Sequence, residues 1–196
     1  MKNMKSRKIS GRLLYRAASP VLNLMRLGLR VAPLAVRSIL LMPFTWSDSL
    51  FGVAARNLLL TSAFRSSGSN VYFARYVIIK NASNISVGNN ISIHEFCYID
   101  GLGGVSIGDN VSIAHSSSIL STNHQWEDSS IPIKYNPVSS AAVTISDDVW
   151  IGCGVRILAG VTIGPRSVIA AGAVVSKSVD GNALYAGVPA RKIRDL

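Results

Sequence analysis

Cysteine is nearly absent. Cys97 and Cys153 are the two in 196 residues, which excludes a small secreted fold held by a dense set of disulfides. Charge is sparse at 15%, against 48% hydrophobic residues and a mean hydropathy of +0.33. A chain of that composition has too much apolar surface and too little charge to stay disordered. A long apolar run is also missing. The stretch Ser38–Ser47 contains Pro43 and ends at Asp48, well short of the roughly 18 to 20 residues of a spanning helix. Sixteen Gly and seven Pro follow no triplet period, so the chain is not collagen-like. Its length suits one ordinary domain.

The net charge of +10 has a location. Residues 1–75 carry twelve Lys and Arg against a single acid, Asp48, a balance of +11. Residues 76–196 carry eight basic and nine acidic residues, a balance of −1. The basic excess therefore belongs to the N-terminal part, and the remainder does not read as a nucleic-acid surface.

Within that N-terminal part, a helical spacing of 100° per residue puts Arg12, Arg16, Arg26, Arg30 and Arg37 on one side. The expectation is a basic, amphipathic, mostly helical extension over residues 1–69, broken or kinked at Pro20 and Pro33. The opening MKNMKSRKISGRLLYR is basic like a signal n-region, but no clean apolar h-region with a small-residue cleavage site follows. Two roles suit residues 1–65: peripheral contact with an anionic membrane surface through the arginine stripe, or packing on the main domain or a sister subunit.

From about Asn70 an aliphatic residue recurs every six positions. The series is Val87, Ile93, Ile99, then Ile107, Ile113, Ile119 after two extra residues within Gly101–Gly104, then Ile145, Ile151, Ile157, Ile163, Ile169, Val175. The residue two before each is small or aliphatic throughout, from Ile85 and Ile91 to Ser167 and Ala173. Two inward side chains spaced by two make a short strand, and a turn every six residues closes a triangle after three hexads. Ile145 is then expected to stack on Ile163, and Ile151 on Ile169. A helix would need a 3.6-residue period and an open sheet longer strands, so the expected fold is an all-β repeat, a parallel β-helix. It should occupy residues 70–180, with a loop at 120–142 and a tail at 181–196.

The stretches VSIGDNVSIAHSSSI, VTISDDVWIGCGVRILAGVTIGPRSVIAAGAVVSK and YAGVPARKIRDL resemble the hexapeptide-repeat acyltransferases. Among these, the chain is most similar to the sugar O-acetyltransferases, both the galactoside and maltose type and the capsule and lipopolysaccharide type. The resemblance spans roughly residues 70–196 and implies a left-handed parallel β-helix, a homotrimer with sites between subunits, and acetyl-CoA as co-substrate with no metal. It implies acetylation of a hydroxyl on a sugar or a cell-surface polysaccharide precursor, and the basic N-terminal helices fit an enzyme in the cytoplasm or at the inner face of the membrane.

The loop LSTNHQWEDSSIPIKYNPVSSAA interrupts the repeat and holds Asn123 and His124. Insertions in a rigid solenoid fall at its corners and tend to carry function. An alcohol is a poor nucleophile at neutral pH, and imidazole titrates in the right range to deprotonate it. The resemblance makes His124 that general base. It also places Trp150, a large residue at an outward position, near acetyl-CoA and acceptor; a Trp there equally suits a subunit contact. His94 stands where galactoside-type relatives carry an acceptor-contacting Asn. Asp100 suits either sugar hydroxyls or a turn cap, and His115 reads as a solvated corner. The small residues Gly152 and Ala171 suggest a slot for pantetheine, and the Cys153 N–H a donor to the oxyanion. The family commonly has Ser at this position. A nucleophilic Cys153 is the rival reading, without an evident adjacent base. Ser176, Lys177, Arg191 and Arg194 occupy positions matched to CoA contacts, with cations suited to its phosphates.

Two other functions fit the same architecture. A γ-class carbonic anhydrase-like metal enzyme needs three His ligands, and the gaps between His94, His115 and His124 do not follow that family's spacing. A non-catalytic β-helix scaffold would not need His124, Trp150 and the GVPAR tail together.

Overall fold

The computed structural model describes residues 11–196. Residues 1–10, with the first four positive charges of the N-terminal excess, lie outside the described residues, as do the side chains of Arg12 and Arg16.

The hexad spacing produces a triangular prism of parallel strands. Sheet A stacks Ser66–Ser67, Ile85–Val87, Val105–Ile107, Val143–Ile145 and Thr162–Ile163. Sheet B stacks Val71–Phe73, Ile91–Ile93, Ser112–Ile113, Trp150–Ile151, Val168–Ile169 and Ala183–Ala186, and Arg191–Asp195 adds an antiparallel edge. Sheet C stacks Ile78–Lys80, Tyr98–Asp100, Ser118–Leu120, Arg156–Ile157 and Val174–Val175. The chain visits A, B and C in turn, so every strand lies on its equivalent one coil earlier.

All twelve six-residue anchors, and all twelve residues two before them, are buried, none above 5% exposed. Ile145 pairs with Ile163 and Ile151 with Ile169, as the register requires. Each buried Ile contributes roughly 1.5–3 kcal/mol, and the stack supplies a continuous core along the prism axis. Polar residues within it are satisfied. Ser117 Oγ donates to the Gly152 carbonyl at 2.9 Å, and Ser167 Oγ to that of Gly164 at 2.7 Å.

Coil length differs along the prism. Upper coils repeat after 18 residues, as Thr144 on Thr162. Lower coils repeat after 20, as Ser86 on Ser106 and Ser66 on Ser86. The extra residues lie at one corner, between sheets C and A, in Asn81–Asn84 and Gly101–Gly104, and the loop 120–142 leaves from that corner too. The prism is also longer at both ends than the repeat register indicates. A full coil begins at Ser66, and Ala183–Ala186 is still a rung. Corner turns require one left-handed residue each. Between sheets A and B this falls on the lower rungs to Asn70, Asn90 and Asn110, whose side-chain amides bond in a ladder at 2.9 and 3.0 Å, and on the rungs above to Asp148 and Arg166; Asn tolerates that conformation better than most residues.

A parallel stack has an open lower edge, where downward carbonyls lack donors. Helix α3 (Leu50–Ala63) closes it on sheet B. Arg56 Nε donates to the Phe73 carbonyl at 3.0 Å, and Asn57 Nδ2 to that of Val71 at 2.5 Å. Arg56 Nη1 also reaches the Phe44 and Ser47 carbonyls, both at 2.6 Å. Solenoids need such terminal caps, and an uncovered strand edge invites pairing with another chain.

Helices α1 (Gly11–Arg30) and α2 (Leu34–Leu41) pack on α3. Pro20 does not break α1, which runs through it, whereas Pro33 does separate α1 from α2. Of the three stripe arginines whose side chains are described, two turn inward. Arg26 is buried, and Arg37 Nη1 donates to the Ser62 carbonyl of α3 at 2.6 Å; Arg30 is exposed. Among the described side chains, Leu24, Leu27, Val31 and Ile39 face outward, each more than 60% exposed, whereas Leu41 packs against the core.

Removing the Asn57 amide leaves the buried Val71 carbonyl without its donor. Asn57→Ala is expected to lower stability by about 1–3 kcal/mol, read as a shift in the urea unfolding midpoint. An unchanged midpoint would mean that the edge does not depend on this cap.

Candidate active site

The hairpin bearing His124 is a built element. Thr122–His124 pairs antiparallel with Val138–Ser140, and Gln125 N–H donates to the Pro137 carbonyl at 3.0 Å. Buried Asn136 ties the loop together, accepting from Asp128 N–H and donating to the Asp128 carbonyl, both at 3.1 Å. Bonds from the Ser130 hydroxyl and N–H hold the Asp128 carboxylate below its ordinary range. The His124 side chain is exposed at the end of this hairpin, beside Asn123. Asp100 lies at the hairpin's root, its carbonyl accepting from Ser121 Oγ at 2.6 Å. Its carboxylate accepts from Asn81 Nδ2 at 2.7 Å and Leu102 N–H at 3.0 Å, so it caps the turn. Ser176 and Lys177 sit exposed at the same corner, at the top of the prism.

A second group occupies sheet B and the corner between sheets B and C. Trp150 stands outward on sheet B, 55% exposed, between Ser112 and Val168. A groove of about 290 Å³ runs beside it, lined also by Asp148, Arg166 and Leu196. Sequence reasoning missed these flanking residues, since Arg166 and Asp148 are corner residues that pair at 3.3 Å only because their rungs are adjacent.

The next corner carries Gly152–Cys153–Gly154 above Ala114–His115–Ser116 and below Ala170–Ala171–Gly172. The Gly154 N–H donates to the His115 carbonyl and the Gly172 N–H to that of Cys153. The Gly152 N–H is committed to the Ile169 carbonyl at 2.8 Å. It is therefore not available to bond a pantetheine amide, and its role in the slot is one of size. The N–H groups of Cys153 and Ala171 donate to no group among the described residues. They are the upper two of a column of open donors that also holds the Glu95 and His115 N–H groups on the rungs below, and a side chain at Gly154 or Gly172 would meet nothing within 4 Å. The space beside this corner suits an extended, amide-bearing chain. Cys153 is half-buried and forms no disulfide.

His94 lies on the same corner two rungs lower, its Nδ1 3.9 Å from Glu95 Oε2. Arg191 and Arg194 lie on the antiparallel edge strand of sheet B, exposed, without an acidic partner among the described residues. Lys192 differs, since its bond to Asp195 at 2.6 Å raises its pKa.

Within one chain the two groups do not meet. His124, Asn123, Asp100, Ser176 and Lys177 belong to the corner between sheets C and A. Trp150, Gly152, Cys153, Ala171 and His94 belong to the opposite sheet and its far corner, with Arg191 and Arg194 on that sheet's edge strand. Among the described residues no three His, Cys, Asp or Glu converge as metal ligands.

A triangular hexapeptide solenoid with open corner donors and an exposed imidazole on a corner loop defines a class, the β-helix group transferases. Known proteins agree. The family model "Bacterial transferase hexapeptide (six repeats)" matches residues 142–177. Galactoside O-acetyltransferase of Escherichia coli (strain K12) is 37% identical over 149 residues, 74% of this chain and 70% of that protein. A galactoside acetyltransferase solved in complex with coenzyme A superposes with a TM-score of 0.73 at 30% identity, covering 95% of this chain and 91% of that one. A hexapeptide-repeat acetyltransferase of Vibrio cholerae, solved with acetyl coenzyme A, gives 0.73 at 29% identity, covering 82% and 85%. Some sequence matches are shorter: the chain covers 26% of a Schizosaccharomyces pombe protein named for acetyltransferase activity, at 56% identity over 54 residues. The chain belongs to the hexapeptide-repeat acyltransferases, enzymes built on the left-handed parallel β-helix.

A Cβ at Gly152 would lie 2.6 Å from Ala171 N and 2.8 Å from the Ile169 carbonyl, both backbone atoms. Gly152→Val is therefore expected to pry these rungs apart. It should lower the thermal midpoint by several degrees or abolish soluble expression, and a variant with wild-type Tm would refute this account of the corner.

Proposed function

We propose that the protein is an O-acetyltransferase that moves an acetyl group from acetyl-CoA to a hydroxyl of a sugar or a cell-surface polysaccharide precursor. One observation carries the reading: open donors at Cys153 and Ala171 beside Trp150 on one face, with an exposed imidazole on a hairpin from the opposite corner. The names of the similar proteins support the same chemistry. His124 removes the proton of the acceptor hydroxyl as its oxygen attacks the thioester carbonyl. The Cys153 N–H donates to the oxyanion of the tetrahedral intermediate. Collapse breaks the C–S bond, and the imidazolium returns its proton to the CoA thiolate. Trp150 walls the site, Ala171 N–H holds a pantetheine amide, and Arg191, Arg194, Ser176 and Lys177 serve the phosphate end. His94, Asp100 and Asn123 are the acceptor-side candidates.

Because the two groups lie on opposite sides of one prism, the reading requires the hairpin of one subunit to reach the sheet B corner of the next. A closed ring of three accomplishes this, so a homotrimer is part of the proposal. His124→Ala should cut turnover by at least about 10²-fold while acetyl-CoA affinity stays nearly intact. Mixing inactive His124→Ala with inactive Trp150→Ala subunits should restore activity, since some mixed sites then hold both side chains. Lack of any recovery on subunit exchange would overturn the shared site.

We also infer peripheral attachment at the cytoplasmic face of an anionic membrane, through the apolar side of α1 and α2 rather than the arginine stripe. Leu24, Leu27, Val31, Ile39, Trp46 and Phe51 are all more than 60% exposed. They lie in the part of the chain whose charge balance is +11. Apolar insertion with a basic flank is how interfacial helices bind anionic lipid, with Trp at the headgroup level. No helix among the described residues is long and apolar enough to cross. The protein should float with phosphatidylglycerol vesicles, and Leu24→Glu with Leu27→Glu should abolish flotation without changing oligomer mass. A wild type that stays in solution, or a double variant that falls apart into smaller species, would identify these helices as a packing element.

A further inference from the structure

The lower rungs of the corner between sheets B and C are lined with aromatic rings. Tyr76 and Phe96 occupy its left-handed turn position, at φ 58° and 59°. Bulky side chains rarely adopt this conformation. One and more rungs higher the same position holds Ser116, Gly154 and Gly172. The two rings stack with centroids 5.1 Å apart and planes 10° from parallel, and remain 43% and 60% exposed. Tyr72 and His94 meet edge to face at 6.0 Å on the adjoining edge of sheet B. Burial raises the Tyr72 phenol above its ordinary value, leaving it a neutral donor. The foot of the column is fixed to the helical cap: Tyr76 N–H donates to the Thr45 carbonyl at 3.0 Å, and Arg75 pairs with Asp48 at 2.9 Å.

Strained positions mark function more often than they arise without cause, and a stacked, exposed pair of rings is costly to leave in water. The column continues directly into the Cys153 donor, about two rungs or 10 Å above Phe96, and the Ala171 donor one rung higher. Chemistry selects the occupant. Pyranose rings present flat C–H faces that pack on aromatic faces, and a rim of hydroxyls that His94, Glu95 and the Tyr72 phenol can bond.

We propose that Tyr76 and Phe96 form an acceptor platform for a glycan several rings long, which binds along this corner from the helical cap up to the site of acetyl transfer. The inference rests on the O-acetyltransferase reading and specifies its substrate class: an oligosaccharide or polysaccharide strand rather than a single soluble sugar. The platform binds the rings below the acetylated one.

The test uses the full-length protein with gluco-, galacto- and manno-oligosaccharides of one to four rings. Turnover is followed by CoA release, and binding by saturation-transfer NMR. In at least one series KM should fall by roughly tenfold or more from one ring to four. Phe96→Ser, which places at this corner the residue found one rung higher, should raise the four-ring KM about tenfold with kcat within about twofold. Tyr76→Asn should act in the same direction. A KM independent of length, or Phe96→Ser losing equally on one ring and four, overturns the platform while leaving the transferase reading standing. Saturation transfer that grows with ring number in wild type and vanishes in Phe96→Ser, without turnover of any sugar, would support the platform and sink the transferase reading. A drop in oligomer mass in Phe96→Ser would assign the rings to a subunit contact and overturn the proposal.

Discussion

Everything in this molecule depends on one packing constraint, the stacking of an Ile or Val from each rung on its equivalent in the next. With Ile113, Ile151 and Ile169 in one column and Ile107, Ile145 and Ile163 in another, no rung can rotate or slip without driving a polar residue inward. That rigidity fixes the corners. Corner residues lie outside the ladder, so their side chains and some of their N–H groups remain uncommitted, and they recur in straight columns one rung apart. A solenoid of this type offers few deep cavities. It presents ordered edges instead, and the proposed chemistry uses two of the three.

The same constraint explains which parts were legible in the sequence. Hydrophobic spacing is local, so Ile145 through Val175 announce their register, and insertion 120–142 stands out as a break in it. The lowest coil is hidden, because Ser67 occupies an anchor position and the coil is 20 residues long. The cap is hidden for a different reason. Arg56 and Asn57 in a helix read as surface residues, and only the packing of α3 beneath Val71–Phe73 turns them into donors for an open edge. For α1, spacing identifies an apolar and a basic side but not which of them packs inward. Buried Arg26 and exposed Leu24 reverse the natural guess.

His124 and Trp150 were legible as residue types at motif positions, but their separation was not. Distance around a triangular coil is set by which sheet each strand joins. The hairpin follows a strand of sheet C, whereas Trp150 belongs to sheet B. The open donors at Cys153 and Ala171 are backbone groups, and one-letter sequence carries them only through their neighbours. Gly152 and Gly154 are the visible trace, the first because backbone 2.6 Å away leaves no room for a Cβ, the second because its φ is +67°.

From bottom to top, the left-handed column between sheets B and C runs Tyr76, Phe96, Ser116, Gly154, Gly172. The backbone conformation is the same throughout, and the neighbouring corner, with Asn70, Asn90, Asn110, Asp148 and Arg166 in it, shows that this turn accepts varied residues. In the proposed reading, the gradation from large rings to no side chain answers to what lies outside the prism. At the top, the absence of side chains at Gly154 and Gly172 leaves open space beside the Cys153 and Ala171 N–H groups, which the proposed function gives to an extended chain. At the bottom, flat rings offer area without demanding a particular hydrogen-bond pattern. Under the proposed function, an acetyl donor with amides along its length and an acceptor made of several sugar rings would place these two opposite demands on one edge. A single column of turn residues meets both, because the β-helix lets each rung's corner residue change without disturbing the Ile stack behind it.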